Sequence, residues 1–131
     1  MSRAVAFLKD ARVFYLATDD NGQPKVRPFG AVLDYEGKVY FCTNNQKAVF
    51  RQMVANPKVE ICACNAEGGW IRITGEAVID DNDAARAAML EAMPGLGRMY
   101  SLGDGLFEVF YLQNATATIH ARGSEPETFT L

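Results

Sequence analysis

Short runs of β-branched and aromatic residues, separated by tight-turn signals, limit how this chain can fold. The first run, VFYLAT at 13–18, is followed by DDNG at 19–22. An Asn-Gly pair tolerates the positive φ angles that a two-residue hairpin turn requires. A second turn signal, YEGK at 35–38, separates a returning strand at 25–33 from a third strand at 39–43. The pattern therefore predicts successive antiparallel hairpins.

Further strands and a few helices are predicted along the rest of the chain. The helices are expected at about 3–10, 46–55 and 83–93, and the further strands at 59–64, 70–79, 107–112 and 115–120. Asn45 is predicted to cap the second helix, whose inward side would carry Ala48, Val49 and Met53. The tail from Gly123 is expected to be loose, although Phe129 and Leu131 could dock. Antiparallel strands joined by tight turns predict a mainly β single domain over 1–131, a closed barrel with helical decoration.

The composition argues against several classes of function. The formal net charge is −3, without the basic excess of a nucleic-acid-binding domain. His120 is the single histidine, so no Cys/His zinc set is expected. Charges at Arg3 and Lys9 interrupt the apolar residues of the N-terminus, which predicts neither a signal peptide nor a membrane span. We therefore expect a cytoplasmic protein with reduced thiols and no nucleic-acid, membrane or metal partner.

Two segments carry the candidate site, RPFG at 27–30 and CTNNQK at 42–47. Lys47 lies in the first turn of the predicted helix, where unpaired N–H groups and the helix dipole favour an anion. Arg27 could add a guanidinium to the same anion. Phe29 and Gly30 would let the backbone approach a planar ring. The pattern indicates a site for a phosphorylated aromatic cofactor.

At these residues the chain resembles the FMN-binding split β-barrel proteins related to pyridoxamine 5′-phosphate oxidase, over about residues 13–117. The segments that carry the resemblance are RPFG at 27–30, VYFCTNNQK at 39–47, NPKVEICA at 56–63 and GGWIRITGEA at 68–77. The resemblance implies a split β-barrel of antiparallel strands. It also implies FMN as the cofactor, and a homodimer that binds two FMN molecules across its subunit interface.

The resemblance also assigns individual residues. Arg27 matches the FMN-contacting arginine of the second strand, and Lys47 matches the phosphate-binding lysine. Gln46 stands where the family carries an arginine, so the phosphate would meet fewer cations. The full set of predicted FMN-binding residues is Arg27, Pro28, Phe29, Gly30, Val32, Cys42, Thr43, Asn44, Gln46, Lys47 and Trp70. No side chain stands out as a catalytic acid or base.

The C-terminal region sets the expected function apart from vitamin B6 oxidation. No tryptophan follows Trp70, whereas true pyridoxamine phosphate oxidases carry a C-terminal tryptophan and arginine. The chain looks closer to short bacterial members, including nitroimidazole-reductase-like proteins. We therefore expect an FMN-dependent oxidoreductase that uses NAD(P)H or another electron donor and a small-molecule acceptor, with nitroaromatic compounds as one candidate class. The alternative is a non-catalytic flavin, haem or deazaflavin binder or electron carrier, with His120 as the candidate haem ligand.

Overall fold

The structure, a computed structural model, describes residues 2–131. Its helices are α1 (Arg3–Ala11), α2 (Ala48–Ala55) and α3 (Asp83–Ala92), followed by a 3₁₀ helix (Pro94–Arg98). Its strands are β1 (Phe14–Asp20), β2 (Gln23–Phe29), β3 (Leu33–Tyr35), β4 (Lys38–Asn44), β5 (Lys58–Cys64), β6 (Trp70–Asp80), β7 (Phe107–His120) and β8 (Glu127–Thr130). None of the helices in this described part is long and apolar enough to cross a membrane.

The strands form one antiparallel sheet that curves into a split barrel. Its order is β2-β1-β5-β6-β7-β4-β3, and β8 pairs with β7. No ladder joins β2 to β3 within residues 2–131. The barrel is therefore split between these strands, as the family resemblance implies, whereas the hairpin pattern alone predicted full closure. β2 is the edge strand at one side of the split, and it contains two prolines, Pro24 and Pro28.

Both predicted hairpin turns are confirmed. Asn21 and Gly22 have φ angles of 50° and 91° between the paired ends of β1 and β2. Glu36 and Gly37 repeat this arrangement, with φ angles of 50° and 77°, between β3 and β4. Positive φ at both central residues matches the right-handed twist of the flanking strands.

Several predicted strand boundaries are wrong. The returning strand predicted at 25–33 ends at Phe29, and residues 30–32 separate it from β3. The two last predicted strands are one strand of 14 residues, β7. This strand accommodates Asn114, with a φ of 49°, opposite an irregularity in β6 between Thr74 and Glu76. The tail is ordered as β8 on β7, because Thr128 and Phe129 find partners in an otherwise open edge.

The start of α2 also differs from the prediction. Lys47, not Asn45, is the N-cap residue, and it provides no side-chain cap. The Asn45 side chain does not cap the helix because its Nδ2 donates to the Gly105 carbonyl and to Glu108 Oε2. Both partners lie some 60 residues further along the chain, beyond the reach of a local rule. Val49 and Met53 are buried as predicted, whereas Ala48 is exposed.

Two apolar clusters meet at β4. The larger fills the barrel and includes Phe41 and Phe110. The smaller lies under α3 and includes Tyr40 and Cys42. Because successive side chains of a strand point to opposite faces, β4 is buried on both sides. Its C-terminal end therefore emerges between the barrel and α3, which is where the candidate site lies.

Candidate functional site

A cavity of about 590 Å³ surrounds the C-terminal end of β4. This volume falls within the range of small-molecule sites. The end of β2, the start of α2 and the segment after α3 complete its walls. The lining residues are Arg27, Pro28, Phe29, Gly30, Ala31, Cys42, Thr43, Lys47, Val49, Ala92, Met93, Pro94, Gly95, Leu96, Met99 and Tyr100.

Arg27 lines the cavity, and its positively charged guanidinium is held by neutral side chains. Its Nη1 donates to Thr18 Oγ1 at 2.7 Å, and its Nη2 donates to Gln52 Oε1 at 2.8 Å. The Thr18 hydroxyl donates in turn to Gln52 Oε1, which closes a three-membered network. Burial lowers the pKa of the Arg27 guanidinium, although an arginine stays protonated in proteins. No carboxylate within residues 2–131 pairs with this charge.

The start of α2 adds further positive potential. Lys47 is exposed, and no carboxylate in the described part of the chain forms an ion pair with it. The first turn of α2 contains no acidic residue, and no side chain caps its amides. Arg51, one turn into the helix, donates from Nη1 to the Gln46 carbonyl at 3.1 Å. A second guanidinium therefore lies close to the position where Gln46 replaces the expected arginine.

Thr43, another residue of the cavity wall, provides an unsatisfied polar atom. The residue is 5% exposed, and its buried Oγ1 has no hydrogen-bond partner among residues 2–131. Leaving a buried hydroxyl unpaired costs about 1–3 kcal/mol. Such an atom is expected where a ligand supplies the missing partner. Arg27, Lys47 and Thr43 together therefore fit an anionic group.

Most of the other lining residues are apolar. Phe29 lines the cavity, and its ring packs edge-on against Phe110, with centroids 6.2 Å apart. A Cβ built on Gly30 would meet only the Arg12 carbonyl, at an ordinary 3.6 Å. The fold itself therefore does not require glycine here. Burial raises the pKa of the Cys42 thiol to about 12, with nearby Lys47 opposing this, so Cys42 stays neutral.

The segment after α3 forms a wall that the sequence did not predict. Met93, Leu96 and Met99 line the cavity, with Tyr100 beside them. Met99 is 65% exposed, although methionine is an apolar side chain. The sequence did contain a signal for this wall. Methionine, leucine and tyrosine cluster around Pro94 and two glycines there, in a pattern that fits neither a helix nor a strand.

Four predicted site residues do not line the cavity. Val32 is 1% exposed and belongs to the barrel core. Asn44 and Gln46 are absent from the cavity lining, and Asn44 Oδ1 accepts from the Gln46 backbone N–H. Trp70 lies at the start of β6, where its ring stacks on His120 at 4.1 Å and receives Arg72 on its π-system at 5.0 Å. His120 is likewise absent from the cavity lining.

The chain matches the model of one protein family. That family is described as pyridoxamine 5′-phosphate oxidase, and the match spans residues 2–123. A search of curated proteins finds no match.

Solved structures with the same fold include a NimC/NimA family protein from Clostridium acetobutylicum. It is 52% identical, has a TM-score of 0.96, and the alignment covers 98% of this chain and 90% of that one. A pyridoxamine 5′-phosphate oxidase-related, FMN-binding protein from Nostoc punctiforme is 18% identical, with a TM-score of 0.69 and coverages of 100% and 97%. A haem-binding protein from Mycobacterium smegmatis is 21% identical, with a TM-score of 0.76 and coverages of 99% and 58%. The last two show the fold alone.

Proposed function

Because the chain belongs to the pyridoxamine 5′-phosphate oxidase family, we propose that it is an FMN-dependent oxidoreductase acting on a small-molecule acceptor. One observation carries the proposal. Two cations without carboxylate partners among residues 2–131 and an unsatisfied hydroxyl belong to the wall of a cavity whose other lining residues are mostly apolar. This distribution suits a molecule with a charged phosphate and a planar apolar ring system.

The phosphate would be held by Lys47, Arg27 and the uncapped amides of α2. Thr43 would supply a hydroxyl next to these cations. Thr18 and Gln52 fix the Arg27 guanidinium before any ligand arrives, which lowers the entropy lost on binding. Arg51 would strengthen the local positive potential and attract anions from solution.

The ring system would lie against Phe29 and the backbone at Gly30. Bound FMN would supply the redox chemistry, and the protein would supply position and electrostatics. The methionines and Leu96 would cover the other side and exclude water. An apolar cover of this kind suits a planar acceptor, and nitroaromatic compounds are the candidate class that we propose. NAD(P)H or another donor would provide the electrons.

Haem binding is less well supported by the site. The cavity lining contains no histidine among residues 2–131, and the ring of His120 is already stacked on Trp70. Non-catalytic flavin binding, deazaflavin binding and electron carriage remain alternatives to the enzyme.

The test is a titration of purified protein with FMN, followed by absorption and fluorescence. Flavin bands with quenched emission support the proposal, whereas a Soret band after addition of haem would support the haem alternative. Reduction by NADPH and reoxidation by a nitroaromatic compound then separate an enzyme from a carrier.

Replacing Thr43 by valine should change stability and affinity in opposite directions. Valine is nearly isosteric and removes the unpaired hydroxyl, so the ligand-free protein should gain roughly 1 kcal/mol. The FMN dissociation constant should rise by about 3- to 10-fold, the loss of one net hydrogen bond. Urea unfolding and fluorescence titration measure the two quantities.

Thr130→Val is the matched control, because Thr130 is exposed on β8 and lies outside the cavity lining. It should leave FMN affinity unchanged. A Thr43→Val protein that binds FMN like wild type would contradict the role assigned to this hydroxyl.

We further propose that the protein is a homodimer and that a second copy covers the outer face of the sheet. Pro28, Tyr15, Cys62 and Arg72 succeed one another across β2, β1, β5 and β6 on this exposed face. Tyr15 is 49% exposed. Pro28 also lines the cavity, so the face continues into the site. Trp70 lies on the same face and would reach the FMN of the other subunit.

Tyr15→Asp should convert the dimer to a monomer, because a carboxylate buried in the interface loses its hydration. The side chain is half exposed in one chain, so the subunit fold should survive. Light scattering should report the mass of a single chain, and FMN affinity should fall because the dimer has dissociated. Val54→Asp, at a 62%-exposed apolar position on α2, should remain dimeric. A Tyr15→Asp protein with the mass of two chains would contradict this interface.

A further inference from the structure

The direction of one hydrogen bond leaves a proton free at the cavity wall. The Gln46 backbone N–H donates to Asn44 Oδ1 at 2.9 Å. A backbone N–H can only donate, so this contact fixes which end of the Asn44 amide is oxygen. The Asn44 Nδ2 then faces Tyr100 and donates to its hydroxyl oxygen at 2.9 Å. Tyr100 is therefore the acceptor in this bond.

The hydroxyl hydrogen of Tyr100 has no acceptor among residues 2–131, since the bond from Asn44 is the one hydrogen bond that the structure gives this group. The ring is held in place by Phe107, with centroids 5.1 Å apart. The Tyr100 backbone N–H donates to the Leu96 carbonyl at 2.9 Å. A rigid phenol thus lines the cavity with its proton available.

Resting on the function proposed above, we propose that Tyr100 donates a hydrogen bond to an oxygen atom of the molecule bound in the cavity, and that Asn44 is the residue that positions it. The acceptor is a carbonyl, carboxylate or nitro oxygen on a planar ring. Such an oxygen is present both on the flavin ring and on a nitroaromatic acceptor. An anionic or reduced ligand would strengthen the bond, because charge-assisted hydrogen bonds are stronger.

The test compares wild type with Tyr100→Phe, which removes the hydroxyl and keeps the ring. FMN is titrated by fluorescence, and the FMN-loaded protein is then titrated with 4-nitrobenzoate by calorimetry. Tyr111→Phe is the control, because Tyr111 lies outside the cavity lining. A rise of about 3- to 10-fold in one dissociation constant is expected for Tyr100→Phe, the loss of one hydrogen bond.

The outcomes identify the acceptor. Weaker FMN binding with a shifted flavin absorption band assigns the oxygen to the cofactor, whereas weaker binding of 4-nitrobenzoate alone assigns it to the second ligand. If Tyr100→Phe matches wild type for FMN and loses no affinity for 4-nitrobenzoate, the inference is overturned. Failure of wild type to bind FMN would instead overturn the proposed function.

A double-mutant cycle tests the positioning role of Asn44. Asn44→Ala should weaken binding of the same ligand when Tyr100 is present, and it should have a smaller effect in the Tyr100→Phe variant. Any purely structural effect through the Gln46 amide is the same in both backgrounds and cancels in the cycle. Additive effects would overturn the assignment of Asn44.

Discussion

Replacing Lys47 by alanine is expected to weaken FMN binding by about 10- to 100-fold, since hydrogen bonds to charged groups contribute about 1.5–3 kcal/mol each. Lys47 is the N-cap residue of α2, and its ammonium opposes the helix dipole in the ligand-free protein. Stability without ligand should therefore stay the same or rise slightly. The FMN-dependent gain in melting temperature should shrink, because bound ligand stabilises the folded state by mass action.

The control for Lys47→Ala is Lys9→Ala, which removes the same charge in the last turn of α1, away from the cavity lining. It should leave the FMN dissociation constant unchanged. Raising the salt concentration should weaken FMN binding more in wild type than in Lys47→Ala, since the variant has already lost part of the electrostatic attraction to the phosphate. Equal FMN affinity in Lys47→Ala and wild type would contradict the proposal that the phosphate binds at the start of α2.

Phe110→Ala should destabilise the ligand-free protein by about 3–5 kcal/mol, as expected for a large cavity in a packed core. Phe110 is fully buried and stacks on Phe41 with centroids 5.5 Å apart. It also supports Phe29, which lines the cavity. The melting temperature should fall by more than about 10 °C, and the urea midpoint should fall without a large change in slope.

Phe129→Ala is the matched truncation outside the barrel centre. Phe129 is partly buried on β8, where Arg3 lies over its ring at 4.9 Å. The same loss of a benzyl group should cost well under half as much there, because water can fill the space left behind. Equal destabilisation by the two variants would show that Phe110 is not the centre of the core.

Local chemistry predicts the hairpins of this fold well, because the turns depend on neighbouring residues. Asn21-Gly22 adopts the positive φ angles that its residue types indicate, and Glu36-Gly37 forms the second predicted turn. The start of α2 was not predictable in the same way. Asn45 is a good N-cap by type, yet Gly105 and Glu108 bind its side chain from a distant part of the chain. The strand β8 was missed for the same reason, since it forms on an edge of β7, whereas the docking of Phe129 was allowed for.

The candidate site divides along similar lines. Arg27 and Lys47 could be predicted to share one site, because both are cations and Lys47 lies at the start of a predicted helix, where an anion is favoured. The neutral network that holds Arg27 needs Thr18 and Gln52, which only the fold brings together. The wall formed by Met93 and Tyr100 was missed, because it depends on how the segment after α3 folds back over β4.

The split in the barrel leaves β2 as an open edge, and its two prolines decide what that edge can do. Pro24 and Pro28 have no N–H to offer to an incoming strand. They lie four residues apart, so their backbone nitrogens are on the same side of the strand. Val26 is the one residue between them that shares this orientation. A strand from another molecule would find donors missing at both positions and could not extend the sheet. The edge is thus protected against fibril-like stacking. A partner on the β2 side of the sheet is consequently expected to dock on a face and not along this edge.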